Sequence, residues 1–359
     1  MTVISRWLRC SSLVALVFAV AWQQPSSAAR FENLYTVTVT TDPAAPDEVR
    51  AAMQAAMARV LVRVTGSRSA PLEPRLQPLI EAAADYRSSS GFVRPGEYQV
   101  GFVTSRVEQV LTQQGMPVWG PERPLTVLWV VVDDGAGGRA LLGASGAADQ
   151  YGAPAPESMA ELIDGVREEL TVAADERGLP IAWPLLDLQD LSAVTLLDVT
   201  GGFDERIVAA SARYGADAVL IGSVRPGLFG NEVNWLFVYG LERQRLPMAG
   251  IRDGLDLAGD RYAADLSTIG GASVTSLTVR DVLTPADYGR VVSYLERQSV
   301  LERVDVESYD EGTLRLRVAA RGDARVLERV LALGGVLRPA AVGSLGSLEF
   351  EVVDAGTSP

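Results

Sequence analysis

Residues 117–129, PVWGPERPLTVLW, separate two patterns in the chain and decide how the rest of it divides. The stretch contains three prolines, which restrict the backbone and keep the residue before each of them extended. An unbroken apolar run begins at Leu125 and continues past Trp129, and such a run is typical of a strand buried on both faces. We therefore interpret this stretch as a joint between two units.

Trp119 and Arg123, both within this stretch, are the candidate binding residues. Trp119 lies in the loop itself, and Pro124 favours an extended conformation at Arg123. Large aromatic side chains serve internal packing as well as interfaces with partners. Trp119 therefore either plugs the crevice between the two units or is exposed to grip a partner. We favour the plug, whereas Trp129 belongs to the buried strand.

The residues before the joint predict an N-terminal α+β unit over residues 30–116. Its strongest element is a helix that begins at Pro46, a residue suited to the first helical position, and stops at Gly66. Alternating apolar and polar residues predict the first strand. The remaining elements are a strand over 33–41, a helix over 72–84, a strand over 96–104 and a helix over 105–114.

The residues after the joint predict a middle α/β unit over residues 117–270. Strands separated by helices favour a layered sheet with partly parallel pairing. The predicted strands cover 125–134, 179–187, 217–224 and 234–239, and the predicted helices cover 157–177, 203–214 and 255–266.

The last part of the chain, residues 271–359, has the order β-α-β-β-α-β, which is the ferredoxin-like arrangement. Its first helix has a strong start, because Thr284 can cap it, Pro285 suits the first position and Asp287 completes a capping box. The predicted fold class is therefore α+β, with three small α/β units. This last fold hosts many unrelated functions and indicates none of them.

The first 29 residues have the layout of a secretory signal peptide. Arg6 and Arg9 precede an apolar run over residues 13–22, and small residues around Ala28 and Ala29 suit cleavage. The run is shorter than the roughly 20 residues of a spanning helix. We expect export to the periplasm, with no stable membrane insertion after cleavage. The alternative is an uncleaved N-terminal anchor.

The composition excludes several kinds of active site. The chain has no His and no Lys, and its single Cys, Cys10, lies in the signal segment. This excludes an imidazole base, a His-ligated zinc, a lysine Schiff base and, in the mature chain, a thiolate nucleophile. Without residues 1–29 the chain has 30 Arg and 45 acidic residues. The resulting net charge near −15 disfavours binding to nucleic acid. We expect no catalytic residues, no cofactor and no metal.

Two further groups of charged residues have alternative interpretations. Asp187 and Asp190 could serve a carboxylate-based hydrolase acting on envelope polysaccharide, or they could cap the next helix. Arg315 and Arg317 alternate with apolar residues along a strand, and their face is either solvated or receives an acidic partner. A small-ligand carrier is a third possibility, and it requires an apolar pocket.

Four segments together resemble an uncharacterised family of exported proteobacterial proteins, domain of unknown function 2066. They are VLVRVTG, MPVWGPERPLTVLWV, LPIAWPLLDLQD and AARYGADAVLIGSV. The resemblance implies export and a shared architecture, and it carries no activity or catalytic residue. In addition, GADAVLIGSV in the middle unit is similar to a turn and strand of α/β docking domains in Gram-negative envelope proteins.

From these observations we expect a non-enzymatic envelope binding or assembly factor with a protein partner. The missing His, Lys and mature Cys favour binding over catalysis. The sequence leaves the partner and the oligomeric state open.

Overall fold

The computed structural model describes residues 29–42, 46–149, 151–228, 230–340 and 348–353. Three larger sheets are interleaved with helices, which confirms the α+β class. The predicted signal peptide, apart from Ala29, lies outside the described residues.

The N-terminal unit places helices against a three-stranded antiparallel sheet of order β2-β4-β3. The apolar face of its long first helix packs on this sheet and forms a separate apolar cluster with it. Its elements are β1 (Ala29–Arg30), β2 (Thr36–Thr40), α1 (Pro46–Thr65), α2 (Gln77–Glu81), β3 (Arg87–Arg94), β4 (Glu97–Phe102) and α3 (Thr104–Gln113).

Two predictions for this unit need correction. The helix predicted over 72–84 is broken into short 3₁₀ turns around the five-residue α2, because prolines at three positions remove backbone donors. Strand β3, RSSSGFVR, was not predicted at all, because its serines and glycine show no apolar alternation.

The middle unit is a three-layer sandwich. The parallel strands β9, β6 and β10 lie at the centre of its sheet, and the antiparallel β11 and β12 extend one side. Its elements are β5 (Glu122–Arg123), β6 (Thr126–Asp133), β7 (Arg139–Gly143), β8 (Gly146–Ala148), α4 (Ala160–Arg177), β9 (Ile181–Ala182), α5 (Leu188–Ala193), α6 (Leu196–Gly201), α7 (Asp204–Ser211), β10 (Ala218–Gly227), β11 (Gly230–Tyr239), β12 (Glu242–Ala249) and α8 (Asp253–Leu266).

Strand β6 is buried on both faces, as its apolar run predicts. Leu128 and Val130 face the cluster formed with α4 and α8, whereas Val127 and Trp129 face the cluster formed with α6 and α7. Trp129 is fully buried, and its indole N–H donates a hydrogen bond to the Ser211 hydroxyl (2.9 Å). The prediction that Trp129 is a core residue is confirmed.

The C-terminal unit has a five-stranded sheet of order β14-β15-β13-β17-β16. The capping box of Thr284 and Asp287 is present at the start of α9. Its elements are β13 (Ala272–Arg280), α9 (Pro285–Glu296), β14 (Leu301–Asp310), β15 (Thr313–Arg321), α10 (Ala324–Ala332), β16 (Leu337–Pro339) and β17 (Leu348–Val352).

One strand extends the expected ferredoxin-like order. After α10 the chain forms the short outer strand β16, and β17 then enters between β16 and β13, parallel to β13. This sheet shares one continuous apolar cluster with the α4 and α8 side of the middle unit, whereas the N-terminal unit has its own cluster.

Candidate functional site at the joint between the units

Both candidate binding residues lie buried where the first unit meets the second. We call this region the joint: residues 117–124 together with the C-terminal ends of α1 and α4. Trp119 is 1% exposed and Arg123 is fully buried. Trp119 belongs to the middle unit's apolar cluster, and its ring lies 6.3 Å from that of Tyr262. This agrees with the plug interpretation, and in this conformation neither side chain is presented to a partner.

The linker, residues 117–124 of the joint, forms backbone hydrogen bonds with both units. The Trp119 N–H donates to the Val64 carbonyl at the end of α1 (2.6 Å). Val118 exchanges a pair of backbone hydrogen bonds with Thr268, which follows α8. Strand β1 pairs with β5 within the linker, so the first described residues also contribute to the joint. The linker is therefore an ordered part of both units.

Arg123 serves as a cap for two helices at once. Its guanidinium donates to the carbonyl of Arg63 (2.6 Å), in the last turn of α1, and to that of Arg177 (3.1 Å), the last residue of α4. It also donates to the carbonyls of Gly120 and Trp119 and lies 3.7 Å from the centre of the Trp119 ring. The C-terminal end of a helix carries unpaired carbonyls and a partial negative charge, so it stabilises a cation.

Arg63 and Arg177 cap each other's helices. From α1, Arg63 donates to the carbonyl of Asp175 in α4 (2.8 Å) and pairs with its carboxylate (2.6 Å). From α4, Arg177 donates to the carbonyl of Gly66, the residue after α1 (3.1 Å), and pairs with Asp260 (2.6 Å). Three buried guanidinium groups therefore bind the ends of α1 and α4 to one another.

Burial changes the proton affinity of these groups. Burial lowers the pKa of Arg63, partly offset by Asp175. Burial lowers the pKa of Arg123 to about 9, and the nearby cations Arg63 and Arg177 contribute to the decrease. Arg123 is therefore still a cation at neutral pH. Its charge is balanced mainly by carbonyl dipoles of two helix ends, together with the π face of Trp119.

The chain reversals at the joint require glycine. Gly66, after α1, and Gly178, after α4, have φ values of +70° and +64°, which favour residues without a Cβ. A Cβ at Gly66 would overlap that of Ala263, and a Cβ at Gly178 would lie 3.2 Å from Arg123 Nη1. Both helices can therefore end where the guanidinium groups reach their carbonyls.

The C-terminal unit is attached to the same region. Glu122 is buried and accepts hydrogen bonds from the backbone N–H and the hydroxyl of Ser299. Arg321, at the end of β15, pairs with Glu108 on α3 (2.8 Å). The C-terminal unit therefore contacts the joint through Glu122 and the first unit through Glu108.

Sequence reasoning missed Arg63 and Arg177. A signal was present, because Arg63 follows Val60 by three residues and Arg177 follows Ala173 by four, so both lie on buried helix faces. In both helices the arginine lies on an apolar stripe within one turn of the glycine that ends the helix, and this pattern indicates a buried cap. The partners, more than 100 residues apart in the chain for Arg63 and Asp175, could not be read from spacing.

Asp187 and Asp190 lie side by side in a capping network. Asp187 caps α5 by accepting from the Asp190 N–H, and both carboxylates pair with Arg213 (2.8 and 3.0 Å). The buried Asp190 also accepts from Tyr214 and from the Leu186 N–H (2.9 Å). Hydrogen bonds from Arg213 hold the pKa of Asp187 below its usual range. The two groups share one guanidinium rather than face each other across a cleft.

The open face of the C-terminal sheet carries the predicted arginines. Arg315 and Arg317 are exposed, while Leu314 and Leu316, which alternate with them, are buried. Arg317 pairs with Glu307 of the neighbouring strand, which is the arrangement of a solvated sheet face.

No group of three Cys, Asp or Glu side chains that could hold a metal ion occurs among residues 29–42, 46–149, 151–228, 230–340 and 348–353. Within the same ranges, none of the helices combines the length and apolar character needed to cross a bilayer.

Asp217 lies half-buried in the turn before β10. It accepts from the Leu125 N–H (2.7 Å), and burial raises its pKa to about 6 from 3.8. The folded state therefore holds its proton more tightly than the unfolded state. The resulting stabilisation is complete below pH 3.8 and is lost as the pH rises through 6.

Replacing Asp217 with Asn is expected to remove this pH dependence, because the amide oxygen can still accept from Leu125. Between pH 4 and pH 7 the variant should gain about 2 kcal/mol relative to the parent, a value reduced for partial exposure of the side chain. Urea unfolding at both pH values measures this difference. Parallel stability curves for the two proteins would show that Asp217 does not titrate in this window.

The comparisons with known proteins concern mainly the first unit. Residues 28–120 match the model of a domain of unknown function, DUF8605. The resemblance to domain of unknown function 2066 is therefore wrong, because the family model that matches is a different one. No curated protein and no solved structure matches the chain. The matched range includes Trp119 and ends three residues before Arg123.

Proposed function

We propose that this protein is an exported, non-enzymatic binding factor of the cell envelope that docks a partner on the outer edge of β3. Export rests on the signal-peptide layout of residues 1–29. The observation that carries the docking mode is the long, open edge of this strand, whose six central residues carry no charge. An extended peptide can add to such an edge through main-chain hydrogen bonds.

Strand β3 is the outer strand of its sheet, and all eight of its residues are exposed. Among the described residues no strand pairs with its outer side. Between Arg87 and Arg94 it contains no charged residue and no proline. An edge with these properties is a template for another strand, which proteins usually protect.

Three of the other edge strands, β2, β12 and β14, carry features that protect them. Arg59 and Arg63 of α1 donate to carbonyls of Thr38 and Thr36 on β2. Strand β12 contains Pro247, and β14 has charged residues along its length. Proline and charges each oppose pairing with another chain. Strand β3 has two register irregularities of its own, but its residues between Arg87 and Arg94 include neither a proline nor a charge.

The side chains of β3 indicate the chemistry of the partner segment. Phe92 packs on Tyr98 with ring centres 4.9 Å apart and remains 42% exposed, so it offers an apolar contact on the core side of the sheet. Arg87 forms no ion pair with any described residue. The expected occupant is an extended partner segment with apolar residues beside Phe92 and an acidic residue beside Arg87.

Binding is favoured over catalysis for two reasons. The chain has neither His nor Lys, and no Cys after residue 10. The carboxylates of the hydrolase alternative, Asp187 and Asp190, are both engaged by Arg213. The small-ligand carrier requires an apolar pocket. The buried Trp119 does not line one, because neighbouring side chains pack around it.

Photo-crosslinking in intact cells tests the docking mode. A photoreactive residue replaces Val93, which is half exposed on β3, and a second variant carries it at Glu168 on the exposed side of α4. We expect an adduct with a partner protein at Val93 and not at Glu168. Peptide mapping should place the linked residue in an extended segment with an acidic side chain.

Gly91 supplies the matched pair of variants, because a Cβ there meets no atom within 4 Å and the fold should tolerate substitution. Gly91→Glu adds a charge that opposes strand pairing and repels an acidic partner, so the adduct should fall at least tenfold. Gly91→Ala should leave it unchanged. An adduct that survives Gly91→Glu, or no adduct at Val93 at all, contradicts docking on β3.

A further inference from the structure

A groove opens along the outer side of the joint, between α1 and the facing ends of α4 and α8. Its volume is about 450 Å³, within the range of roughly 300–1,000 Å³ typical of small-molecule sites. Its charged lining consists of Arg59, Arg68, Arg177, Arg252, Glu176 and Asp256. Four of the chain's arginines thus converge on one groove in a strongly acidic protein.

The charges around the groove do not balance. Arg252 pairs with Glu176, and Arg68 pairs with Asp256 (2.9 Å), so both carboxylates in the lining are already engaged. Arg59 donates one hydrogen bond, to the Thr38 carbonyl, and forms no ion pair with any described residue. Asp260 pairs with Arg177 and lies 3.7 Å from Arg68, so four guanidinium groups face three carboxylates at the groove.

Arg177 contributes hydrogen-bond donors that have no acceptor. Its side chain is 3% exposed, and neither Nη1 nor Nε forms a hydrogen bond in the described structure. The carboxylate oxygen of Asp256 is 3.7 Å from Nη1, which is too far for a hydrogen bond. A buried donor without an acceptor is costly, so an anion that enters the groove and rearranges Asp256 would satisfy it.

We propose that this groove binds a small phosphate-bearing molecule. A phosphate monoester carries between about 1.5 and 2 negative charges at neutral pH, and it would find a cation without an ion pair in Arg59 and unpaired donors in Arg177. The planar guanidinium fork presents paired donors that fit phosphate oxygens. The groove is larger than a phosphate group alone, which leaves room for the rest of the molecule.

A ligand in this position would contact both units. Arg59 and Arg68 belong to the first unit, while Arg177 and Arg252 belong to the second. Binding would therefore hold the two units together. It would also raise the melting temperature, because the ligand binds only the folded state. No residue of β3 lies in the groove, so docking on β3 and binding in the groove can each fail without the other.

Isothermal titration calorimetry on the mature protein tests the groove with inorganic phosphate, glycerol 3-phosphate and succinate, each against sodium chloride at equal ionic strength. Saturable binding of one equivalent of a phosphate probe is the expected result. Arg59→Gln should weaken it about tenfold, which is typical for loss of one hydrogen bond to a charged group. Arg50→Gln, an exposed arginine on the same helix paired with Asp47, is the matched control and should bind normally.

Vesicles distinguish the two sources of the phosphate group. Sedimentation with phosphatidic acid vesicles, absent with phosphatidylcholine and reduced by Arg59→Gln, would identify a lipid headgroup. Binding of glycerol 3-phosphate without sedimentation would identify a soluble ester. The proposal is overturned if no phosphate probe or vesicle binds, if binding is unaffected by Arg59→Gln, or if succinate binds as tightly as glycerol 3-phosphate.

Discussion

Replacing Trp119 with Ala should destabilise the protein by about 3–5 kcal/mol, the usual cost of deleting a large buried aromatic side chain. The ring is 1% exposed, packs beside Tyr262, and supplies the face over which the Arg123 guanidinium lies. Its loss leaves a cavity between the units and removes a cation–π contact. Urea unfolding at neutral pH, followed by circular dichroism, measures the change.

Trp119→Phe is the control for this prediction. The indole N–H of Trp119 forms no hydrogen bond within the described residues, so phenylalanine loses no polar contact and keeps an aromatic face for Arg123. It should cost clearly less than alanine. Unchanged stability of Trp119→Ala together with loss of partner binding would instead identify Trp119 as a contact residue.

Replacing Arg123 with Met is expected to cost a similar amount, about 3–5 kcal/mol, despite the similar volume of the new side chain. Four carbonyls lose a donor at once, two of them at the ends of α1 and α4. Buried acceptors left unpaired are destabilising, and so are buried groups that lose a charged partner. Removal of one of three neighbouring cations offsets part of this cost.

Arg123→Lys separates charge from geometry. Lysine keeps the cation but cannot place donors on four carbonyls with a rigid fork. We expect an intermediate loss of stability, measured by the same urea titration. If Arg123→Met proves as stable as the parent, the guanidinium does not hold the two helix ends together.

The sequence predicted the elements whose patterns are local. Helix α1 was predicted because Pro46 and Gly66 frame its apolar stripe, and the C-terminal unit because Thr284 and Asp287 mark a helix start. The buried β6 and the burial of Trp129 followed from one apolar run. In each case the residues that carry the pattern lie within the element that they predict, or directly beside it in the sequence.

The elements that were missed depend on context. Strand β3 has no apolar alternation and pairs only because β4 is beside it, and β12, at the sheet edge, is largely exposed and polar. Within the site, Arg123 was singled out for a binding role from the rigidity of Pro124, yet its carbonyl partners belong to two distant helices. Long-range capping of this kind leaves no periodic trace in the sequence.

The shared capping of α1 and α4 has a consequence for modularity. The matched domain ends at residue 120, so its boundary separates Arg63 from Asp175 and leaves Arg123 and Arg177 outside. The boundary of the matched domain therefore cuts through the hydrogen-bond network that joins the ends of α1 and α4. A protein that acquired only the first unit would also have to provide, from new surroundings, two cations for the end of its main helix.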